Sequence, residues 1–477
     1  MMKPIEINSD AVSVKQLYTN CLAEATYFLH SNGEAAVIDP LRDVDEYLKM
    51  AAETQSQIKY IFETHFHADF VSGHVELARR TGAKIIYGPG AETGFDAHIG
   101  QDGEKFVLGE VTLELLHTPG HTPESSTYLL KNAQGAPMAI FTGDTLFLGD
   151  VGRPDLTVRS DLSMEQLAGM LFDSLRNKIM QLPDEVVVYP GHGAGSSCGK
   201  NMSKETVDTL GAQKATNYAL RADMTKEEFI KEVTTGIAPP PQYFPKNALL
   251  NKSGYANLAE VEDKSLKALS VAEFKSYALK PNTLILDVRS AAEFAQGHIE
   301  NSVFIGLDGQ FAMWVGALIE DLAQPILLIA PKGREKEAVT RMARVGYEGV
   351  IGYLEGGLEN WIKNKEALAS IRSISATQFS EEMAEGIILD VRKEGEFAKQ
   401  HIPQAQHHAL DFIQDWKSKL DKAQPYFVHC AGGYRSMIAT SILKREGYSH
   451  LTDIQGGFKA ISETSIPLTD AVCPSTL

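Results

Sequence analysis

The strongest constraint on the fold is a segment that the chain contains twice. Residues 284–302, LILDVRSAAEFAQGHIENS, match residues 387–405, IILDVRKEGEFAKQHIPQA. The two Asp-Val-Arg triplets start at 287 and 390, which is 103 residues apart. Two copies at this spacing predict two small domains of the same fold, one after the other.

Each copy is predicted to run strand, helix, strand, helix. Buried strands such as PILLIA (325–330) and PYFVHC (425–430) alternate with polar helical stretches, and each copy ends on a similar Gly-Gly turn. Alternating β and α units favour a parallel sheet that is covered by helices on both faces. We therefore expect two doubly wound α/β domains, at residues 265–367 and 371–470.

The preceding residues form apolar strands separated by Gly-rich turns, for example EAAVID (34–39), IKYIFETH (58–65), MAIFTGD (138–144) and EVVVYPGHG (185–193). We expect them to make a further domain over residues 1–250, which agrees with the prior of about three domains for a chain of 477 residues. The Pro-rich stretch IAPPPQYFPK (237–246), near the end of this range, is interpreted as an ordered linker or tail.

The composition narrows the classes of partner and the compartment. A net charge of −17 argues against nucleic acid as a ligand, because phosphate binding needs a basic surface. No apolar stretch is long enough to suggest a membrane span or a signal peptide. The four cysteines, Cys21, Cys198, Cys430 and Cys473, are scattered in a way that suits a reducing compartment. We expect a cytoplasmic protein.

A metal centre is predicted from residues that follow several strands. His65, His67 and Asp69 are spaced two apart in THFHADFVSGH, so that in an extended loop they face the same way. His121 follows a Gly turn in HTPGHTPES, and Asp144 ends a strand in FTGDTLF. His192 in YPGHGAG is a further candidate ligand. Imidazole and carboxylate groups that converge at strand ends are typical of a metal site.

The order of these motifs resembles the metallo-β-lactamase superfamily over about the first 235 residues. The resemblance implies an αββα sandwich with metal held by loops at one edge. The binuclear members of the superfamily carry HxHxDH, whereas Phe70 follows Asp69 in this chain and cannot bind a metal. One metal held by His65, His121 and Asp144 is a set of the type found in non-haem Fe(II) oxygenases, and zinc accepts the same residues.

The chain, including the segment LGDVGRPDL, resembles persulfide dioxygenases of this superfamily, which implies one Fe(II) per chain. In that interpretation His67 and Asp69 orient ligands and substrate, and His192 either does the same or holds a bound water. Arg153, in LGDVGRPDL, either pairs with Asp155 or binds a substrate anion. Cys198 is predicted to lie in a flexible Gly/Ser-rich loop, HGAGSSCGK, near the edge of the site. Cys198 and Cys21 are either reactive towards persulfides or bystanders.

A catalytic cysteine is predicted in the last copy of the repeat. In VHCAGGYRSMIA, a strand leads into Cys430, and a helix starts near Arg435 and Ser436. Loop amides, the positive helix end and Arg435 favour a thiolate and later a persulfide anion. The motif resembles the CxxxxR loop of rhodaneses, which carry sulfur as a cysteine persulfide. Phosphatases and arsenate reductases have loops of related design.

The middle copy lacks this cysteine. Its corresponding segment is ILLIAPKGREKEA, in which Ala330 takes about the place of Cys430. We expect a structural or docking role for this copy, and either anion binding or no function for Lys332 and Arg334.

Together these features favour an enzyme that oxidises a low-molecular-weight thiol persulfide with O2 to sulfite, and that exchanges sulfane sulfur through Cys430 with sulfite or thiosulfate, in sulfide detoxification. The thiol stays open among glutathione, coenzyme A and bacillithiol, and a homo-oligomer is expected from the resemblance. Two alternatives remain, a zinc-dependent thioester hydrolase of the glyoxalase II type and a sulfur carrier or sensor without turnover.

Overall fold

The computed structural model describes residues 7, 9, 11–158 and 162–472, so that Cys473 lies outside the described residues. The chain folds into two compact units. The first runs to Glu260 and includes residues 343–346, and the second comprises residues 261–342 and those from 347 onward. None of the helices among the described residues combines the length and apolarity that crossing a membrane requires.

The described part of the first unit contains two six-stranded sheets. The first sheet has its strands in chain order: β1 (Ser13–Thr19), β2 (Glu24–Ser31), β3 (Glu34–Ile38), β4 (Gln57–Phe62), β5 (Lys84–Tyr87) and β6 (His98–Ile99). The second sheet likewise has its strands in chain order: β7 (Lys105–Leu108), β8 (Val111–His117), β9 (Ser126–Lys131), β10 (Pro137–Gly143), β11 (Val187–Pro190) and β12 (Asp208–Thr209).

Helices cover the outer faces of these sheets. They are α1 (Asp45–Glu53), α2 (His74–Thr81), α3 (Met164–Asn177), α4 (Leu210–Thr216), α5 (Lys226–Thr234) and α6 (Phe244–Ser253). The next helix, α7 (Leu258–Ser265), contains the sequence boundary between the two units. Buried aromatic side chains fill the space between the sheets, and the rings of Phe62 and Tyr128 lie 4.6 Å apart. Separate apolar clusters join α1 and α2 to one sheet and α3 and α5 to the other. The αββα sandwich is thereby confirmed.

The Pro-rich stretch belongs to the first unit, as an ordered tail of that domain would. Helix α6 begins within it at Phe244, with Pro245 in its first turn, where a missing N–H costs nothing. Residue 250, the predicted end of the first domain, lies inside this helix, and the first unit extends to Glu260.

The described part of the second unit contains two five-stranded sheets whose strand pairs are all parallel. The first has the order β13-β17-β16-β14-β15: β13 (Ala268–Leu269), β14 (Leu284–Asp287), β15 (Val303–Phe304), β16 (Ile326–Ile329) and β17 (Val350–Leu354). The second has the equivalent order β18-β22-β21-β19-β20: β18 (Arg372–Ile374), β19 (Ile387–Asp390), β20 (Gln406–His407), β21 (Tyr426–His429) and β22 (Leu451–Ile454). The predicted duplication is therefore visible in the topology.

The helices of the second unit follow the same repeat. The middle copy has α8 (Val271–Ala278), α9 (Ala291–Gln296), α10 (Phe311–Leu318), α11 (Glu335–Ala343) and α12 (Gly357–Lys363). The last copy has α13 (Ala376–Glu382), α14 (Glu394–Lys399), α15 (Ile413–Trp416), α16 (Tyr434–Arg445) and α17 (Gly457–Ile461). Capping boxes fix where helices start in both copies, for example Ser290 with Glu293 and Ser375 with Gln378.

Candidate functional sites

The predicted metal ligands meet at the ends of strands in the first unit. His65 follows β4, Asp144 follows β10, and His121 lies in the loop between β8 and β9. All three side chains are at most 2% exposed. The Nε2 atoms of His65 and His121 lie 3.8 Å and 3.4 Å from Oδ2 of Asp144. This spacing fits three ligands around one divalent ion, whose bonds to imidazole and carboxylate are about 2.0–2.2 Å long.

Hydrogen bonds at the far side of both imidazoles direct Nε2 towards this point. Nδ1 of His121 lies 2.8 Å from the carbonyl oxygen of Arg153, which only accepts, so Nδ1 carries the proton. Nδ1 of His65 lies 3.0 Å from the hydroxyl of Thr64, which itself donates to Asp39. Burial lowers the pKa of His65, which keeps the ring neutral. Both Nε2 atoms therefore present a lone pair to a metal.

Asp144 completes the set with an oxygen that has no partner. Its Oδ1 accepts from Nδ1 of His192 at 2.8 Å, but its buried Oδ2 makes no hydrogen bond. Burial alone would raise the pKa of Asp144, but His192, His65 and His121 lower it well below the usual range. An ionised, buried oxygen beside two imidazole lone pairs is costly without a cation, so these residues fit a metal ion.

Glycines allow the loops to come this close. A Cβ on Gly152 would lie 2.0 Å from the carbonyl oxygen of Asp144 and 2.9 Å from Nδ1 of His121. Gly143 has φ +48°, and a Cβ there would lie 2.3 Å from the Thr64 hydroxyl. Side chains at these two positions would push the ligands apart.

His192 links the predicted metal ligand Asp144 to a second carboxylate, that of Asp69. Its Nε2 lies 2.7 Å from Oδ2 of Asp69 while its Nδ1 donates to Asp144. Burial lowers the pKa of His192, but Asp144 and Asp69 outweigh it and raise the pKa well above the ordinary value. His192 is therefore an imidazolium that holds both carboxylates in place.

Cys198 belongs to the same group, since a ligand atom from each of Asp69, His192 and Cys198 lies within 4.8 Å of the others. The prediction placed it in a flexible loop at the site edge, but the side chain is 1% exposed. Burial, Asp69 and Asp144 raise its pKa, which keeps a thiol rather than a thiolate. Cys21 lies in the turn between β1 and β2 and is partly exposed.

Arg153 forms the pair with Asp155 that the sequence left open. Its Nε and Nη2 donate to the Asp155 carboxylate at 2.6 Å and 2.7 Å. The guanidinium also donates to the carbonyl oxygens of Ser197 and Ala238. Arg153 thereby ties together loops around the metal ligands, and its own carbonyl fixes His121.

The ring of His67 lies 4.2 Å from that of His65, but its Nε2 is directed to other carboxyl groups. Its Nε2 lies 3.0 Å from Asp39 and 3.7 Å from Glu63, and its ring lies 4.3 Å from that of Phe70. Sequence reasoning missed Asp39, Glu63 and Thr64. Asp39 directly follows β3 just as Asp144 directly follows β10. The strand-end position that pointed to Asp144 could therefore have identified Asp39 as well.

Asn251 was also missed, because it lies in α6, beyond the predicted end of the domain. Its Nδ2 donates to the carbonyl oxygens of His67 and Phe70 at 2.8 Å and 2.7 Å. Its Oδ1 accepts from the amide of Ser72 at 2.9 Å. One buried amide thus holds the backbone of the loop that carries His65 and His67.

Replacing Asn251 with alanine is expected to loosen this loop. Three buried backbone groups lose their partner, which costs about 2–4 kcal/mol of stability. Thermal denaturation should show a lower midpoint, and the protein should retain less bound metal after desalting. Asn132→Ala, which removes bonds from an exposed turn, is the control. Unchanged stability and metal retention in Asn251→Ala would contradict this role.

The predicted catalytic cysteine lies directly after β21 and before α16. Cys430 is 1% exposed, and the amide of Gly433 donates to its Sγ at 3.1 Å. Gly433 has φ +99°, which turns this amide towards the sulfur. Of the loop amides that were expected to point at the sulfur, this is the one with a hydrogen bond to Sγ.

Arg435 lies in the first turn of α16. Its guanidinium donates to both carboxylate oxygens of Glu396, at 2.6 Å and 2.8 Å. Burial lowers the pKa of Arg435, but the bonds to Glu396 outweigh this effect and raise it. Arg435 is therefore a fixed positive charge in the cavity that contains Cys430.

The middle copy forms part of this cavity, which has a volume of about 440 Å³. Asp308, Gln310 and Trp314 line it together with Cys430 and Arg435. In addition, the Tyr434 hydroxyl, in the cysteine loop, donates to the carbonyl oxygen of Gly306 at 2.7 Å. Ala330 follows β16 as Cys430 follows β21, so the middle copy has the strand but not the nucleophile.

The buried carboxylate of Asp453 holds the first turn of α16 through a hydrogen bond. Asp453 accepts from Ser436 at 2.6 Å and from Ser373 at 3.0 Å. Burial raises the pKa of Asp453 to about 6, above the unfolded value of about 3.9. The folded state therefore binds this proton more tightly than the unfolded state, and stability falls as the pH rises from about 4 to 6.

We expect Asp453→Asn to be more stable than the parent at pH 7.5 by about 1–2 kcal/mol, and to lose this advantage at pH 4. The chain has three tryptophans, Trp314, Trp361 and Trp416, and all lie in the second unit. Their fluorescence during urea denaturation therefore reports on this unit. A variant that is less stable than the parent at pH 7.5 would show that the ionised carboxylate is favourable.

Comparisons with known proteins agree with this architecture. The model of the metallo-beta-lactamase superfamily matches residues 19–192. The model of the rhodanese-like domain matches twice, at residues 270–364 and 375–464.

Individual relatives match different shares of the chain. Glyoxylase B2 of Dictyostelium discoideum is 30% identical over 225 residues, which are 43% of this chain and 70% of that protein. The mitochondrial persulfide dioxygenase ETHE1 of Homo sapiens is 28% identical over 235 residues, 48% of this chain and 84% of that protein. A metallo-beta-lactamase structure from Staphylococcus aureus subsp. aureus COL has a TM-score of 0.64 and 32% identity, and covers 72% of this chain and 99% of that one. The chain therefore belongs to the metallo-beta-lactamase superfamily and carries two rhodanese-like domains after its metallo-beta-lactamase domain.

Proposed function

We propose that this chain is a non-haem iron persulfide dioxygenase with one catalytic Fe(II). The observation that carries the proposal is the buried set of His65, His121 and Asp144, whose free donor atoms point at one another. Two imidazoles and one carboxylate are the ligand type of Fe(II) oxygenases. The likeness to the human persulfide dioxygenase supports the same reaction. Fe(II) in this centre would supply the redox chemistry by which O2 oxidises a persulfide.

The reaction that we propose is balanced by one water molecule. A thiol persulfide RSSH, O2 and H2O give RSH, sulfite and two protons, so that the terminal sulfur is oxidised and O2 is reduced. The protein holds the ligands in place: Thr64 and the Arg153 carbonyl orient the imidazoles, and His192 orients Asp144. Orientation by such outer partners tunes how strongly a metal is held.

Sulfur transfer is proposed for Cys430. Its thiolate attacks the terminal sulfur of a second persulfide, forms a cysteine persulfide and releases the thiol. Sulfite then attacks that outer sulfur, which gives thiosulfate and restores the thiolate, and the reverse sequence makes a persulfide from thiosulfate. The Gly433 amide and Arg435 favour the anionic sulfur in both steps. This pairing of reactions serves sulfide detoxification, because the product of one centre is a substrate of the other.

A zinc-dependent thioester hydrolase is the second candidate. Relatives named for such chemistry favour it, including the cytoplasmic hydroxyacylglutathione hydrolase of Arabidopsis thaliana, which is 30% identical over 184 residues. Phe70, buried where binuclear members of the superfamily have a metal-binding His, argues against it. We also propose that the protein is cytoplasmic and forms a homo-oligomer. Sedimentation of the full chain tests the oligomer.

The two candidates differ in their products. Iron-loaded protein given glutathione persulfide should form about one sulfite for each O2 consumed, and thiosulfate once sulfite and persulfide are both present. The same protein given an S-acylated glutathione should release no more thiol than buffer does. Fast thioester cleavage by zinc-loaded protein, without O2-dependent sulfite from the iron form, would overturn the dioxygenase in favour of the hydrolase.

A further inference from the structure

A second group of potential metal ligands lies beside the catalytic centre. Asp39, Glu63 and His67 each place one donor atom within 4.8 Å of the other two, and all are at most 2% exposed. They come from the end of β3, the end of β4 and the loop after β4. These residues share no ligand atom with the set of His65, His121 and Asp144.

Several polar atoms in this group have no hydrogen bond. Neither ring nitrogen of His67 makes one, although Nε2 lies 3.0 Å from Asp39 Oδ1. Oε2 of Glu63 also has none, and it lies 3.7 Å from the same Nε2. Buried polar atoms are almost always paired. Two buried, unpaired ligand atoms that point at one place are an arrangement that a bound cation would satisfy.

The acidic groups around this place favour a cation. Asp39 accepts from the amide and the hydroxyl of Thr64, at 2.7 Å and 2.8 Å. Oε1 of Glu63 accepts from Ser72 at 2.6 Å. The ion pairs of Asp39 and Glu63 are with His67 and His74, and no Lys or Arg among the described residues pairs with either. A bound cation would supply the positive charge that these two buried carboxyl groups lack.

The spacing fits a metal ion of ordinary size. With bonds of about 2.0–2.2 Å, the ligand atoms of a tetrahedral ion lie roughly 3.3–3.6 Å apart. The observed separations of 3.0 Å and 3.7 Å bracket this range. Two carboxylate oxygens and one imidazole suit a divalent ion of the zinc, manganese and iron class.

We propose that Asp39, Glu63 and His67 form a second, structural metal site for a divalent cation. The site joins the ends of two neighbouring strands to the loop that carries His65. Through Thr64, which bonds both Asp39 and His65, it also fixes the orientation of a catalytic ligand. It does not depend on the reaction at the catalytic centre, so it goes beyond the proposed function.

The test counts tightly bound zinc in variants of the full chain. Zn2+ is added to metal-free protein, excess is removed by desalting, and the metal is measured by mass spectrometry. The parent should hold two equivalents and His121→Ala one. Adding Glu63→Gln to His121→Ala should remove the last equivalent, and adding His67→Gln should do the same. Glu24→Gln, which neutralises a different buried carboxylate with an unpaired oxygen, is the matched control and should keep it.

Circular dichroism shows whether each variant folds. If Glu63→Gln and His67→Gln have the same effect, the conclusion does not rest on a single substitution. The proposal is overturned if His121→Ala holds no zinc, or if the equivalent survives both substitutions. Zinc that is lost only on adding Cys198→Ser would belong to the group of Asp69, His192 and Cys198, and would also overturn it. None of these outcomes depends on O2 uptake, so failure here is separate from failure of the dioxygenase.

Discussion

Cys430→Ser is expected to abolish sulfur transfer and to leave O2 consumption with persulfide unchanged. A serine hydroxyl cannot accept sulfane sulfur, so that thiosulfate formation from sulfite and persulfide should fall by roughly 10³-fold or more. The two chemistries use separate residues: Cys430 lies in the last rhodanese-like repeat, whereas His65, His121 and Asp144 lie in the first unit. Sulfite should therefore accumulate in the variant in place of thiosulfate.

The control for this variant is Cys21→Ser, which removes a partly exposed thiol outside the rhodanese-like repeats. It should form thiosulfate at the parental rate. If Cys430→Ser still makes thiosulfate, the sulfur passes through another group. If instead the substitution stops O2 uptake as well, the persulfide must reach the iron through Cys430.

His121→Ala has the opposite expected effect. It removes one of three ligands together with the hydrogen bond to the Arg153 carbonyl. Loss of an outer partner alone typically weakens metal binding 10–100-fold, so loss of the ligand should exceed about 100-fold. The variant should lose its catalytic iron and its O2 uptake, while Cys430 continues to transfer sulfur from thiosulfate.

His98→Ala is the matched control, because His98 lies on the same unit, pairs with Glu104 at 2.7 Å and is 45% exposed. It should retain iron and activity. If His121→Ala keeps the parental iron content and O2 uptake, His121 is not a ligand of the catalytic metal.

The sequence predicted the architecture because its signals are local. Repeated Asp-Val-Arg segments, buried apolar strands and His or Asp residues at strand ends need no knowledge of distant contacts. Strand-end signals predicted a metal site that includes His65, His121 and Asp144, and the family resemblance together with Phe70 favoured these three as the ligands of a single metal ion. Cys430 was found from the strand, loop and helix around it.

Other features depend on contacts between remote segments, which periodicity does not reveal. Asn251 reaches the loop of His67 across more than 180 positions. His67 turns towards Asp39 and Glu63 although its spacing from His65 suggests a shared face. Cys198 was placed in a flexible loop because of its Gly and Ser neighbours, yet the fold buries it against Asp69 and His192. The cavity wall formed by the middle repeat likewise requires the packing of two copies.

The most direct test of the dioxygenase is the iron content of anaerobically purified protein together with O2 uptake when a persulfide is added. We predict about one iron per chain that depends on His121, rapid persulfide-dependent uptake and sulfite as the product, whether or not a second divalent ion occupies the site of Asp39, Glu63 and His67. Iron-loaded protein that consumes no O2 with glutathione, coenzyme A or bacillithiol persulfide, while its zinc form cleaves thioesters, would contradict the account.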